Sequence, residues 1–194
     1  VLLVKLFVTF GKESNMSKIG RKPIPVTSAK ITIDGRMLTI SGAKNTFNHE
    51  LPDGISVQAQ DKELLVTADR ITRRHKMLWG LHRALLANKV KGVETGFEQK
   101  LIIVGLGYKA TLTGKQLVLV LGYTHKIEYT MPDDVTVEID KTGQNLMFRS
   151  ADKFSLGNVC DAVRGFRPPE PYKGTGIMRD GEKIFRKAGK TKSS

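Results

Sequence analysis

The chain has a single cysteine, Cys160, so an intrachain disulfide is impossible and a disulfide-stapled scaffold is excluded. No run of about 18 apolar residues occurs, which excludes a bilayer-spanning helix. The most apolar stretch, Val1 to Phe10, is interrupted by Lys5 and Thr9 and has no small-residue cleavage site after it. It is therefore not read as a signal peptide. A soluble protein in a reducing compartment is the expectation.

Catalytic signatures are missing as well. There is no G-x-S-x-G. His49, His75, His82 and His125 have no metal-ligand spacing with one another or with Cys160, so no metal site is expected. Cys160 itself falls on an apolar helical stripe, where packing is its natural role. Asp133 and Asp134 sit in a turn, where Asp bonds locally. Gly114-Lys115 fails as a phosphate loop, because Gln116 stands where a magnesium-binding hydroxyl is needed and Lys109 where the upstream glycine is needed.

One motif does suggest a cofactor. Leu101-Ile102-Ile103-Val104 followed by Gly105-Leu106-Gly107-Tyr108-Lys109-Ala110 has the dinucleotide-binding spacing, with Glu128 about 18 residues on. That motif requires a helix next, because the pyrophosphate rests on a helix N-terminus. Thr111-Leu112-Thr113-Gly114 instead continues as a strand and a turn, so the glycines are read as permitting a bend or a close backbone contact. No cofactor and no enzymatic activity are expected.

Acidic residues are scarce: 19 Asp and Glu against 32 Lys and Arg give a net charge of +13. The first partner to consider is a polyanion, nucleic acid ahead of an anionic membrane surface. With 40% hydrophobic residues in 194, one or two domains can bury proper cores.

An internal repeat organises the chain. Ile33-Asp34-Gly35-Arg36-Met37-Leu38-Thr39-Ile40 predicts a hairpin around Asp-Gly, and Leu112-Thr113-Gly114-Lys115-Gln116-Leu117-Val118-Leu119 repeats it 79 residues later. Leu51-Pro52-Asp53-Gly54-Ile55-Ser56-Val57 has its echo, shifted by 80, in Met131-Pro132-Asp133-Asp134-Val135-Thr136-Val137. Ala68-Asp69-Arg70 and Ala151-Asp152-Lys153 each close a strand and open a helical segment. The first helix shows a stripe of Met77, Leu78, Leu81, Ala84 and Leu85; the second shows Leu156, Val159, Cys160 and Val163, with Gly165 as its stop.

The expected fold is α+β: two tandem duplicated domains, each a small antiparallel sheet with one packed helix, plus a basic extended C-terminal tail. The expected boundaries are 16–92 and 93–174 for the domains and 175–194 for the tail, with Val90 to Gly96 as linker. Residues 1–15 are set aside as an extension, because Met16-Ser17-Lys18-Ile19 reads as a better start.

Charge is unevenly placed. Residues 31–69 hold three basic and six acidic groups, and residues 92–163 hold seven and nine, so both strand-rich blocks are net negative. The positive excess lies near Lys18 to Lys30, in seven basic residues without an acid from Arg70 to Lys91, and from Arg164 to Ser194, with nine basic and three acidic residues. In this last stretch Pro168, Pro169 and Pro171 hold the chain extended and exclude a central strand, while Gly174 and Gly176 let a backbone approach closely. Cations there can meet phosphates, and Phe166 or Tyr172 can stack on a base or ribose. A merely solvated basic tail has the same composition.

Pro169-Glu170-Pro171-Tyr172-Lys173-Gly174-Thr175-Gly176-Ile177 closely resembles the C-terminal signature of the bacterial-type L-six protein family of the large ribosomal subunit. The resemblance runs from Met16-Ser17-Lys18-Ile19-Gly20-Arg21-Lys22-Pro23-Ile24-Pro25, through Gly105 to Ala110, to Arg186-Lys187-Ala188-Gly189-Lys190. It covers nearly all of the chain after residue 15. Two departures stand out: Thr175 where the family usually has Lys, with Arg179 or Lys183 near enough to replace the charge, and Lys126 after His125 where the family usually has Pro.

The resemblance implies a structural protein of the large ribosomal subunit. It would bind rRNA near the sarcin-ricin loop and the base of the factor-binding stalk, beside neighbouring ribosomal proteins and close to docking translational GTPases. Carried over, the RNA-binding residues are Arg167, Tyr172, Lys173, Gly174 and Gly176, supported by Arg164, Arg179, Lys183, Arg186, Lys187 and Lys190, with Lys109 as a further contact. The location implied is a cytoplasmic ribosome, with an organellar one as the open alternative. A nucleotide-dependent enzyme built on Gly105 and a non-specific basic nucleic-acid coat are the competing readings.

Overall fold

A computed structural model describes residues 18–42, 45–60, 62–69 and 72–189. The extension expected at 1–15, the start at Met16 and the basic residues Arg70 and Lys190 lie outside the described residues. The chain divides into two compact units, one ending at Val90 and the other beginning at Lys91.

In the first unit, β2 (Lys30–Asp34), β3 (Met37–Ser41) and β4 (Thr46–Glu50) follow β1 (Ile24–Pro25). They form one antiparallel sheet in sequence order, with Asp34 opposite Met37 across the expected hairpin. The chain then turns at Pro52, where the Ile55 amide donates to the Pro52 carbonyl at 3.2 Å. It enters a second sheet made of β5 (Ile55–Gln60), β6 (Glu63–Ala68) and β1, in the order β1-β6-β5. Alternation sends Leu38 and Ile40 from β3, and Leu64 and Val66 from β6, into the core.

Helix α1 (Arg73–Glu94) closes this unit with a face the sequence did not single out. Trp79, Leu86 and Val90 are buried, whereas Met77, Leu81 and Leu85 of the expected stripe face solvent. Both rows have helical spacing, so periodicity alone does not choose between them. Burying the Trp79 indole contributes roughly 4 kcal/mol by area, and its Nε1–H donates to the Val66 carbonyl at 2.7 Å. Arg83 lies on the same side and donates to the Lys22 and Pro23 carbonyls at 3.0 and 3.1 Å. The expected linker is mostly helix, because α1 runs unbroken to Glu94.

The second unit repeats the plan. A sheet of β8 (Lys109–Thr113), β9 (Gln116–Val120) and β10 (Ile127–Thr130) is followed by β11 (Val135–Ile139) and β12 (Asn145–Ser150), which join β7 (Phe97–Val104). Each unit thus has two sheets where the pattern suggested one, because the turns at Pro52 and Pro132 redirect the chain into a new layer. The copies agree in detail: Leu51 N–H donates to the Arg36 carbonyl and Met131 N–H to the Lys115 carbonyl, both at 2.9 Å. Arg36 pairs with Asp53 as Lys115 pairs with Asp133.

Helix α2 (Lys153–Phe166) buries Leu156, Val159, Cys160 and Val163, as its spacing predicts. Asp152 caps it by accepting the Phe154 amide at 3.0 Å. The equivalent helix start in the first unit is shifted: Asp69 bonds back to Gly54, and Thr72 accepts the His75 amide ahead of Arg73. Gly165 does not stop α2. The helix ends at Phe166, because Pro168 forces Arg167 into extended geometry, at φ −152° and ψ 87°.

The expected tail is not free at its start. Gly176–Arg179 forms β13, an edge strand beside β7 in a sheet ordered β11-β12-β7-β13, and Ile177 is fully buried. An edge position is compatible with the prolines upstream of it.

Candidate nucleic-acid interface

The segment after α2 is a closed loop, pinned at both ends. Ile177 N–H donates to the Arg167 carbonyl at 2.8 Å, Glu170 N–H to the Thr175 carbonyl at 3.0 Å, and Gly174 N–H to the Glu170 carbonyl at 3.1 Å. The Thr175 hydroxyl donates to the Glu170 carboxylate at 2.7 Å, so the residue that departs from the family pattern braces the loop. Gly176 is obligatory here, since a Cβ would lie 2.7 Å from the Pro168 carbonyl oxygen and its φ is +142°. Lys187 N–H then donates to the Pro171 carbonyl at 2.8 Å, bringing the later basic residues alongside the loop tip.

At that tip Tyr172, 58% exposed, and Lys173 project into solvent. Gly174 is buried beneath them, and a Cβ on it would sit 3.2 Å from an Arg186 guanidinium nitrogen. The structure therefore gathers Tyr172, Lys173, Gly174, Arg186 and Lys187. Lys183 is exposed a few residues earlier, and among the described residues none of Lys173, Lys183, Arg186 and Lys187 has an acidic partner. Lys109 is exposed at the start of β8.

Three of the expected contacts are already engaged within the protein. Arg164 grips the Glu182 carboxylate with two donors, Nε at 3.2 Å and Nη2 on the other oxygen. Arg164, and then the Arg179 amide, hold the Glu182 carboxyl below its usual range, while Glu182 raises the guanidinium of Arg164 further. Arg179 pairs with Asp161, and its Nε is buried without a partner among the described residues.

Arg167 is the least available. Its guanidinium lies between two rings, 5.2 Å from the Tyr108 centroid and 4.9 Å from that of Tyr123, and donates to the Leu121 carbonyl at 2.9 Å. The Tyr123 hydroxyl closes the cluster by donating to the Phe166 carbonyl at 3.0 Å.

This cluster explains the glycine motif and was missed at the level of sequence. A Cβ on Gly105 would stand 2.4 Å from the Tyr108 ring and one on Gly122 2.7 Å from it, so both glycines make room for that ring. The signal available was the recurrence of Gly beside Tyr, at Gly105 to Tyr108 and at Gly122-Tyr123. After Gly107 the chain enters strand β8, so the helix N-terminus that a pyrophosphate would use is absent from this motif. Tyr123 also carries His125 stacked on it, with centroids 6.2 Å apart and planes 18° from parallel.

Cys160 is packed in the core of the second unit. Burial pushes the Cys160 thiol up to about 11, which keeps it protonated. Among the described residues no three His, Cys, Asp or Glu side chains are grouped to hold a metal, and no helix is long and apolar enough to cross a membrane.

Residues 24–96 and 104–180 match the family model described as ribosomal protein L6, one match in each unit apart from the end of α1. The chain is 43% identical over 177 residues to the large ribosomal subunit protein uL6 of Synechococcus sp. (strain RCC307), covering 91% of this chain and 98% of the relative. The proteins of the same name from Nostoc sp. (strain PCC 7120 / SAG 25.82 / UTEX 2576) and Methylacidiphilum infernorum (isolate V4) are each 42% identical over the same share of this chain, with 97% and 98% of their own lengths covered. The duplicated architecture, the doubled match and the nearly full-length similarity together establish that the chain belongs to the ribosomal protein L6 family.

Proposed function

We propose that the chain is a structural constituent of the large ribosomal subunit, holding rRNA with the C-terminal edge of its second unit. The observation that carries this is the pinned loop, which presents Tyr172 and Lys173 beside Arg186 and Lys187, cations that have no acidic partner among the described residues. Tyr172 supplies a ring for a base or ribose, and the cations supply phosphate contacts. Loop order matters because a preformed surface loses less entropy on binding than a mobile tail.

Arg164 and Arg179 act as supporting contacts whose geometry is set by Glu182 and Asp161. Lys183 and Lys109 widen the positive surface, and Lys190 would extend it. Arg167 holds the loop in place and takes no phosphate of its own. On the family resemblance, the RNA bound is that around the sarcin-ricin loop and the stalk base, with neighbouring ribosomal proteins and translational GTPases close by. The work done is charge neutralisation and positioning, with no chemical step.

Filter binding of the full chain to a large-subunit rRNA fragment tests this. Affinity should fall steeply with salt, with a log–log slope of about −0.9 per counterion released from duplex. Unrelated duplex RNA should compete poorly. A flat salt response, or equal competition, would refute the proposal in favour of another partner or a non-specific coat.

A further inference from the structure

The outward side of α1 carries an apolar row. Met77, Leu81 and Leu85 recur every four residues and are 63%, 52% and 39% exposed, turned away from buried Trp79, Leu86 and Val90. Ala84 is exposed among them. Single exposed apolar residues are ordinary, but a continuous row on one helix marks a contact surface. Arg73 and Arg74 frame its N-terminal end, and the helix has no acidic residue before Glu94.

Helix α2 differs on the equivalent side. Opposite its buried row of Leu156, Val159, Cys160 and Val163 lie Phe154, Asn158 and Ala162, all exposed, so the aliphatic row of α1 has no counterpart in the second unit.

We propose that Met77, Leu81 and Leu85 dock an acidic, aliphatic segment of another protein. Arg73 and Arg74 supply the charge complementarity. RNA is a poor occupant: its phosphates could meet the two arginines, but the aliphatic centre offers neither a ring nor a guanidinium plane to stack on. A second copy of the chain would set like charges against each other. This surface belongs to the first unit, whereas the proposed RNA-binding edge belongs to the second.

The test uses the full chain with 13C-methyl-labelled methionine and synthetic helical peptides of about 15 residues. One peptide carries leucines in an i, i+4, i+8 row among glutamates; a second replaces each glutamate by lysine. The Glu/Leu peptide should shift the Met77 methyl resonance saturably, and Leu81→Ser should weaken its affinity about tenfold. Arg73→Glu with Arg74→Glu should weaken it without touching the apolar row, which serves if Leu81→Ser perturbs folding. Unchanged Trp79 emission confirms that each variant is folded. An unmoved Met77 methyl, equal binding of the Lys/Leu peptide, self-association abolished by Leu81→Ser, or a Met77 shift caused by the rRNA fragment would each overturn the proposal.

Discussion

The guanidinium of Arg167 stacks on the ring of Tyr123, 4.9 Å from its centroid, although by sequence Arg167 reads as a phosphate contact. With Tyr108 on its other side and the Leu121 carbonyl as acceptor, it bolts the end of α2 to two loops of the β8–β9 sheet. Arg167→Ala should therefore destabilise the protein by about 2–3 kcal/mol, the sum expected of a cation–π contact and a charged hydrogen bond. Urea denaturation followed by circular dichroism checks this. A loss of RNA binding with unchanged stability would mean that Arg167 acts on RNA directly.

Tyr172→Ala should show the opposite pattern. The residue is exposed, so folding stability should stay within about 0.5 kcal/mol, while RNA affinity falls by about 1–3 kcal/mol, the value of one stacked base. Lys173→Ala should reduce the salt slope by about one and weaken binding evenly across RNA sequences. Filter binding at several salt concentrations measures both.

Gly176→Ala tests whether loop order matters. Its Cβ would press on the Pro168 carbonyl in a backbone region that disfavours side chains, at a cost of about 2 kcal/mol or more. Faster hydrogen exchange at Ile177, together with weaker RNA binding, is the expected result. Exchange that stays slow would remove the support for a pinned loop.

Acid should loosen the first unit. His49 is buried, its Nε2 is 2.9 Å from His82 Nδ1, and its Nδ1 is 3.2 Å from the Lys89 ammonium. An ammonium can only donate, so His49 Nδ1 accepts and its Nε2–H points at His82. Burial first, then Lys89 and His82, lower the His49 pKa from 6.5 to about 4. Between those values the unfolded chain binds a proton that the folded one rejects, so stability is full above pH 6.5 and declines as pH falls toward 4. The loss should be on the order of 2 kcal/mol, allowing for solvent screening. Urea midpoints followed by Trp79 fluorescence from pH 7.5 to 4.5 should show it, and His49→Asn should flatten the curve.

The parts of the fold legible in the sequence are those written in turn chemistry and in unambiguous stripes. Asp34-Gly35 and Thr113-Gly114 dictate hairpins by local rules, and Leu156, Val159, Cys160 and Val163 form the one apolar row that α2 possesses. Helix α1 has two competing rows, and only the partner for the Trp79 indole, Val66 on another element, decides between them. Strand β13 was hidden because Gly-Thr-Gly-Ile reads as flexible until β7 lies beside it. In the interface, the positions of the cations were readable but their availability was not, since Asp161 and Glu182 reach Arg179 and Arg164 only through the tertiary fold.

Strand β13 has a consequence for synthesis. Its partner β7 is made long before it, so a nascent chain can bury most of its second core while still lacking the edge that fixes the loop. Competence to join an assembling particle would thus arrive late in translation, and a polypeptide interrupted before Arg179 would be a nearly folded product without a handhold.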